Sequence, residues 1–261
     1  FAQWQQEWLQ GEVLKSQRAY WQTKLAGAPT LLELPTDYPR PRIQTMAGRV
    51  ETFELEPTVV VQLRDLSRQA GTSLFMSLYA AFSVLMSRYS GQEDLVIGSP
   101  IANRHYQEIE PLMGFFVNTL ALRTDLSGNP SFKELLLRVR QTTLDAYSHQ
   151  DVPFEQVIHE LGIERHLSHS PLLQVMFAWL DYPNPATLGE AKMTRLFPQT
   201  ATAKFDLTLS FAESESGELL GMFEYKTALF QQATIRRMVG HLETSKRLWR
   251  SRSNPSRRCR C

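Results

Sequence analysis

Phe205-Asp206-Leu207-Thr208-Leu209-Ser210-Phe211, followed after a short gap by Leu219-Leu220-Gly221-Met222-Phe223-Glu224-Tyr225, decides how the layers of this chain are arranged. Both stretches read as strands, and Leu173 to Trp179 supplies a third, so strands follow one another late in the sequence. Earlier the pattern alternates. Arg49 to Leu55 reads as a strand, and Pro57 opens a helix through about Gln69, proline being suited to a first turn. Gly71 separates it from a helix over Ser73 to Tyr89, which Gly91 ends. Leu95-Val96-Ile97 and Val117 to Leu126 read as strands. Ser131-Phe132-Lys133-Glu134 is a capping box that opens a helix with Phe132, Leu135, Leu136, Val139 and Ala146 on one face. Short helices over Phe154 to Leu161 and Thr234 to about Glu243 complete the pattern. Alternation early and consecutive strands late imply an α/β chain of α+β character, a mixed sheet covered by helices.

The chain opens differently. Apolar residues at Trp4, Trp8, Leu9, Tyr20, Trp21 and Leu25 have helical spacing, with Gly27 as the stop. Leu34-Pro35-Thr36-Asp37-Tyr38-Pro39-Arg40-Pro41 follows, and three prolines in so short a run forbid helix and central strand alike. The expected division is therefore an opening helix and linker over 1–41, a main domain over 42–244 and a basic tail over 245–261.

Composition narrows the function. Hydrophobic residues make up 43% and charged residues 21%, an ordinary globular mixture. No apolar run reaches the roughly 18 residues that span a bilayer, the longest candidate being Ser73 to Met86, which reads as a buried helix. No membrane partner is expected, and a cytoplasmic location is the default. Both cysteines, Cys259 and Cys261, lie at the very end, so the body has no disulfide framework. Of the 28 Lys/Arg, seven fall in 246–261, leaving 21 against 27 acidic residues before it. A mildly acidic body does not call for nucleic acid.

Self-contained catalytic signatures are missing: no G-x-S-x-G, no phosphate-cradling loop, no G-x-G-x-x-G, no H-E-x-x-H. His166 and His169 form an H-x-x-H pair without further ligands nearby, so no metal is expected. The remaining polar clusters each allow two readings. In Ser148-His149-Gln150-Asp151-Val152-Pro153-Phe154-Glu155, Asp151 caps a helix that starts with Pro153 in its first turn, or His149 or Asp151 titrates in a pocket. Asn118 faces a tunnel or bridges backbone at a strand start. Asp206 is a structural ion pair or a turn cap before it is an acid.

Taken in order, four segments resemble the condensation-domain family of nonribosomal peptide synthetases. Phe1-Ala2-Gln3-Trp4-Gln5 is similar to the end of the family's Y-x-D-[FY]-A-x-W-Q motif. Met113-Gly114-Phe115-Phe116-Val117-Asn118-Thr119 resembles I-G-x-F-V-N-T, with Met for Ile. His149 to Glu155 matches [HN]-Q-D-[YV]-P-F-E throughout, and Arg165 to Leu172 is similar to the looser R-D-x-S-R-N-P-L, keeping Arg165, Ser168, Pro171 and Leu172.

The resemblance implies a chloramphenicol-acetyltransferase-like half of a V-shaped domain with a tunnel between its halves. It implies peptide-bond formation between carrier-bound thioesters, of the subtype joining two L-residues. No cofactor binds directly; the substrates arrive on phosphopantetheine arms. Partners are carrier proteins, the N-terminal half of the domain and a neighbouring adenylation domain. Asn118, His149, Gln150 and Asp151 are expected near the substrate path, with Arg165, Ser168 and Asp206 structural. No histidine here has the family's H-H-x-x-x-D-G spacing. The chain is therefore expected to be a fragment without a catalytic residue of its own, inactive alone, or else a non-catalytic docking module. Family members continue past Thr244 as an amphipathic helix, whereas this chain turns to Lys-Arg-Leu-Trp-Arg-Ser-Arg, which reads as a frameshifted or cloning-derived end, or as a disordered tail.

Overall fold

Strands and helices fall close to where the residue pattern puts them. A computed structural model describes residues 2–104, 107–181, 201–214 and 217–244, so the basic tail with its cysteines lies outside the described residues. The strands are β1 (Gly48–Leu55), β2 (Asp94–Ile101), β3 (Asn118–Asp125), β4 (Val175–Leu180), β5 (Leu207–Glu213) and β6 (Leu219–Lys226). The helices are α1 (Ala2–Trp8), α2 (Gly11–Leu25), α3 (Pro57–Ala70), α4 (Leu74–Ser90), α5 (Phe132–Ser148), α6 (Phe154–Glu160) and α7 (Gln232–Thr244).

One mixed sheet runs β1-β6-β5-β4-β2-β3. Its outer pairs are antiparallel, while β4 lies parallel to β5 and to β2. β2 and β4 meet in register at Gly98 and Met176. A Cβ on Gly98 would overlap the Met176 sulfur, so glycine is what lets these strands close up.

Strand alternation sends Phe53, Phe177, Phe211 and Phe223 to one face, where their rings pack edge-on, tilted and stacked on one another, and Phe82 of α4 covers Phe177 and Phe223. Helix α4 is buried all round from Met76 to Met86, as its uniform apolarity requires. Its polar exceptions are satisfied internally. Ser77 Oγ shares a hydrogen bond with Ser67 Oγ (2.6 Å), and Tyr79 donates its hydroxyl to the Leu122 carbonyl (2.9 Å). On the opposite face Thr208, Ser210, Leu220, Met222 and Glu224 are only half-buried.

The single opening helix expected over Trp4 to Leu25 is in fact two. Gln10 is extended and Gly11 takes a left-handed φ of 55°, so α1 ends before α2 starts. The apolar spacing continues across the break because Leu9, Trp21 and Leu25 still reach one core. The proline-rich stretch is extended, as its prolines dictate, yet it is strapped down along its length. Gln174, itself buried, accepts the Leu32 N–H (2.8 Å) and donates to the Thr30 carbonyl (3.0 Å). Gln92 holds Leu31 and Glu33 in the same two-sided way. Further on, the Asp37 carboxylate accepts from the Gln231 N–H and the Thr234 hydroxyl, both at 2.8 Å, capping the start of α7.

Candidate functional site

The two densest motifs meet in space. Asn118 is the first residue of β3, and its side chain is buried against the turn between α5 and α6. Its Nδ2 donates to the carbonyls of Gln150 (2.8 Å) and Val152 (2.9 Å). Its Oδ1 accepts the N–H groups of Thr119 (2.9 Å) and Phe154 (3.1 Å). All four positions of one amide are used, so Asn118 bridges backbone at the start of β3, and it does so at the edge of a cavity. The same bonds correct the expectation for Asp151. Pro153 occupies the N-cap position of α6 rather than its first turn, and Asn118, not Asp151, receives the Phe154 N–H.

Asp151 is held from elsewhere. Gln17 of α2 donates its amide to Asp151 Oδ2 (2.5 Å) and accepts the N–H groups of Asp151 (3.0 Å) and Val152 (3.3 Å). Gln17 is buried, and sequence reasoning missed it. His149 turns the other way. Its ring stacks on Tyr20 with centroids 4.0 Å apart, and its Nδ1 lies 2.7 Å from the Asp145 carbonyl oxygen. Its own carbonyl accepts the Trp21 indole N–H at 2.7 Å. Burial, then the Asp145 charge, push the Tyr20 hydroxyl well above the usual phenol range.

A cavity of about 490 Å³ opens beside this junction. Asn118 and Asp151 line it; His149 and Gln150 do not. Phe115, Phe116 and Val117 form one wall, and the half-open sheet face forms the floor. The floor follows strand register: Glu224 pairs with Thr208, and Thr208 with Met176. Lys204 and Phe205 close one side. Burial raises the Glu224 carboxyl above its ordinary range, partly offset by the Lys204 backbone N–H. Nothing in the motif wording singled out Glu224, although its place between Phe223 and Tyr225 puts it on the face opposite the core. A second hollow of about 380 Å³ holds four glutamates and none of the motif residues.

Asp206 lies on the same sheet face as Glu224, two residues along the β5–β6 ladder. It is buried between Arg40 Nη2 (2.6 Å) and Lys226 Nζ (3.2 Å), with Lys226 also donating to Gln44 Oε1 (2.9 Å). This is an ion pair of the structural kind. Ser168 supports it through its carbonyl, which accepts from Arg40 at 3.4 Å; Arg165 is exposed and, among the described residues, joins no part of the cluster. His166 and His169 stack with centroids 4.7 Å apart, and burial followed by the His166 and Arg40 charges holds His169 below the usual imidazole range. Among the described residues no group of three or more His, Cys, Asp or Glu could hold a metal ion, and no single helix is long and apolar enough to cross a membrane.

The fold is that of a known class. The family model for the condensation domain matches residues 1–257. The chain is 52% identical over 247 residues to one of the linear gramicidin synthase proteins of Brevibacillus parabrevis, covering 92% of this chain and 5% of that protein. It is 49% identical over 243 residues to malpinin synthetase of Mortierella alpina, covering 93% of this chain and 3% of that one. Among solved structures, the X-domain from teicoplanin biosynthesis superimposes with a TM-score of 0.83 at 28% identity, over 94% of this chain and 58% of that chain. A four-domain nonribosomal peptide synthetase bound to AMP and glycine superimposes with a TM-score of 0.82 at 26% identity, over 88% and 19%. This chain belongs to the condensation-domain family. It spans a small fraction of the length of the curated relatives it matches and little more than half of the X-domain chain.

Proposed function

We propose that this chain is the second half of a condensation domain and serves peptide-bond formation between two carrier-bound acyl groups, both L-configured. The amine nitrogen of the acceptor attacks the donor's thioester carbonyl, the C–S bond breaks, and the donor's sulfur leaves on its phosphopantetheine as a thiol once the nitrogen's proton is released. On this reading no cofactor is bound directly, the partners are carrier, adenylation and N-terminal condensation units of a cytoplasmic synthetase, and residues 42–244 form the subdomain that 1–41 joins to the first half.

The observation that carries the reading is the junction at Asn118, where the two motif segments are welded together and open onto a cavity. The cavity residues bind and position; the acid/base group comes from H-H-x-x-x-D-G, which these 261 residues lack. A second reading rests on one neighbour, an X-domain 29% identical to this chain and solved in complex with OxyB: a docking module without chemistry.

One experiment separates them. Donor- and acceptor-loaded carrier proteins are mixed with the chain alone, and with the chain plus a family N-terminal half, and dipeptidyl product is sought by mass spectrometry. Product only in the second mixture supports the enzyme reading. Product in neither, with carrier binding retained, supports docking, and turnover by the chain alone overturns the assignment of the acid/base group to another segment.

A further inference from the structure

We propose that Glu224 is the specificity-determining residue that recognises the acceptor's α-ammonium in the cavity, an inference that rests on the reading just given and names the group one wall of the site selects.

The cavity floor is a row set by strand register. Glu224 of β6 stands beside Thr208 of β5, Thr208 beside Met176 of β4, and Met176 beside Gly98 of β2, which has no side chain. Glu224 is therefore the one charged side chain of the row. The other charged groups of the lining are differently placed. Asp151 is engaged by Gln17, Glu155 is exposed on the first turn of α6, and the Lys204 ammonium lies 5.6 Å from the Phe205 ring centroid.

The next pair along the ladder shows the contrast. Asp206 and Lys226, two residues away on the same face, neutralise each other with Arg40 and Gln44 in support. Glu224 is half-buried like a group in a site, and among the described residues the Lys204 backbone N–H is the group that favours its charged form. An ionised carboxylate offers about four acceptor positions, so capacity remains for a ligand with several N–H donors. An ammonium has three, and the Thr208 hydroxyl is beside it in register. Of the groups carried by two thioester substrates, the acceptor's α-amine is the cation. A donor whose amine is already acylated carries none there. A half-buried carboxylate on an otherwise neutral floor discriminates between the two.

The test uses the full chain and two non-hydrolysable probes, the alanyl amide of aminoethyl-pantetheine and its lactyl counterpart, in which a hydroxyl replaces the amine. Binding is followed by calorimetry or by amide chemical shifts. The unaltered chain should bind the alanyl probe at least tenfold more tightly. Glu224→Gln should abolish that preference while leaving the lactyl affinity in place. A preference that survives in Glu224→Gln overturns the proposal. Equal binding of both probes to the unaltered chain overturns it as well, without any substitution, and leaves the carrier-arm site standing. Failure of both probes to bind removes the carrier-arm reading and Glu224's role together.

Discussion

Gln17 and Asp151 are joined in both directions: the Gln17 amide donates to the Asp151 carboxylate at 2.5 Å and its oxygen accepts the Asp151 backbone N–H at 3.0 Å. A helix near the start of the chain thereby fixes a turn that lines the cavity. Gln17→Ala should cost about 2–3 kcal/mol, because a bond to a charged group is lost and two N–H groups are left in a buried setting. Gln17→Glu should cost more, since it sets a second carboxylate beside Asp151. Denaturant titration of both variants checks the order. An unchanged midpoint in Gln17→Ala would mean that water replaces the amide freely and that the turn is held by Asn118 alone.

Asn118 has no spare hydrogen-bonding capacity. Asn118→Ala strands two carbonyls and two N–H groups, and a loss on the order of 3 kcal/mol is expected. Asn118→Asp keeps both accepted bonds but turns a negative oxygen toward the carbonyls of Gln150 and Val152. It should be at least as damaging. A stable Asn118→Asp variant would show that the donor side of the clamp contributes little.

The Asp206–Lys226 pair offers a sharper test, because both side chains are almost fully buried. Removing Asp206 alone leaves the Lys226 ammonium without its counter-charge, a change that typically costs about 3–5 kcal/mol. Replacing both, as Asp206→Leu with Lys226→Met, should recover much of that loss even though two charges are gone. A double variant less stable than Asp206→Leu would argue that Lys226 contributes through Gln44 rather than through the carboxylate.

Glu224 predicts a pH dependence of definite sign. Burial raises its carboxyl in the folded chain, so the folded state holds the proton more tightly than the unfolded state, whose value is about 4.3. Stability from this group is present below the unfolded value and lost as pH rises toward and through the folded one. Glu224→Gln should therefore melt above the unaltered chain at pH 7, with the gap narrowing toward pH 4. A gap that stays constant across this range would place the carboxylate in ordinary solvent.

Some of this was open to inspection in the residues and some was not, for a physical reason. Ser131 and Glu134 form their capping box within one turn, so four letters contain the whole interaction. Strand alternation likewise put Phe223 and Tyr225 on the core side. Gln17 could not be found that way, because its partner lies 134 residues further on and a glutamine in a helix announces nothing. Asn118 had two open readings, and its four bonds come from residues 32 to 36 positions further on as well as from its neighbour, which no local pattern reveals. The break at Gln10 was hidden because apolar spacing reports which side faces the core, not whether the backbone between is continuous. Glu224 became notable only when β5 brought Thr208 beside it and β4 brought Met176 beside Thr208.

The strap across the base of the sheet has a consequence for how the chain is made. Asp37 caps a helix whose Thr234 lies 197 residues downstream, and among the described strands β1 pairs with β6. At about 5–20 residues per second on the ribosome, the early segments wait on the order of 10–40 s for partners not yet synthesised. During that interval β1 is an unpaired strand, and the exposed Arg49 and Glu54 along it are charges of the kind that oppose pairing with another nascent chain, while Glu51 is held for Arg236 and Gln232 of α7. Neutralising Arg49 and Glu54, which are exposed in the finished sheet, should show first as a lower yield of soluble protein at fast translation, before any change in the melting temperature of the protein that does fold.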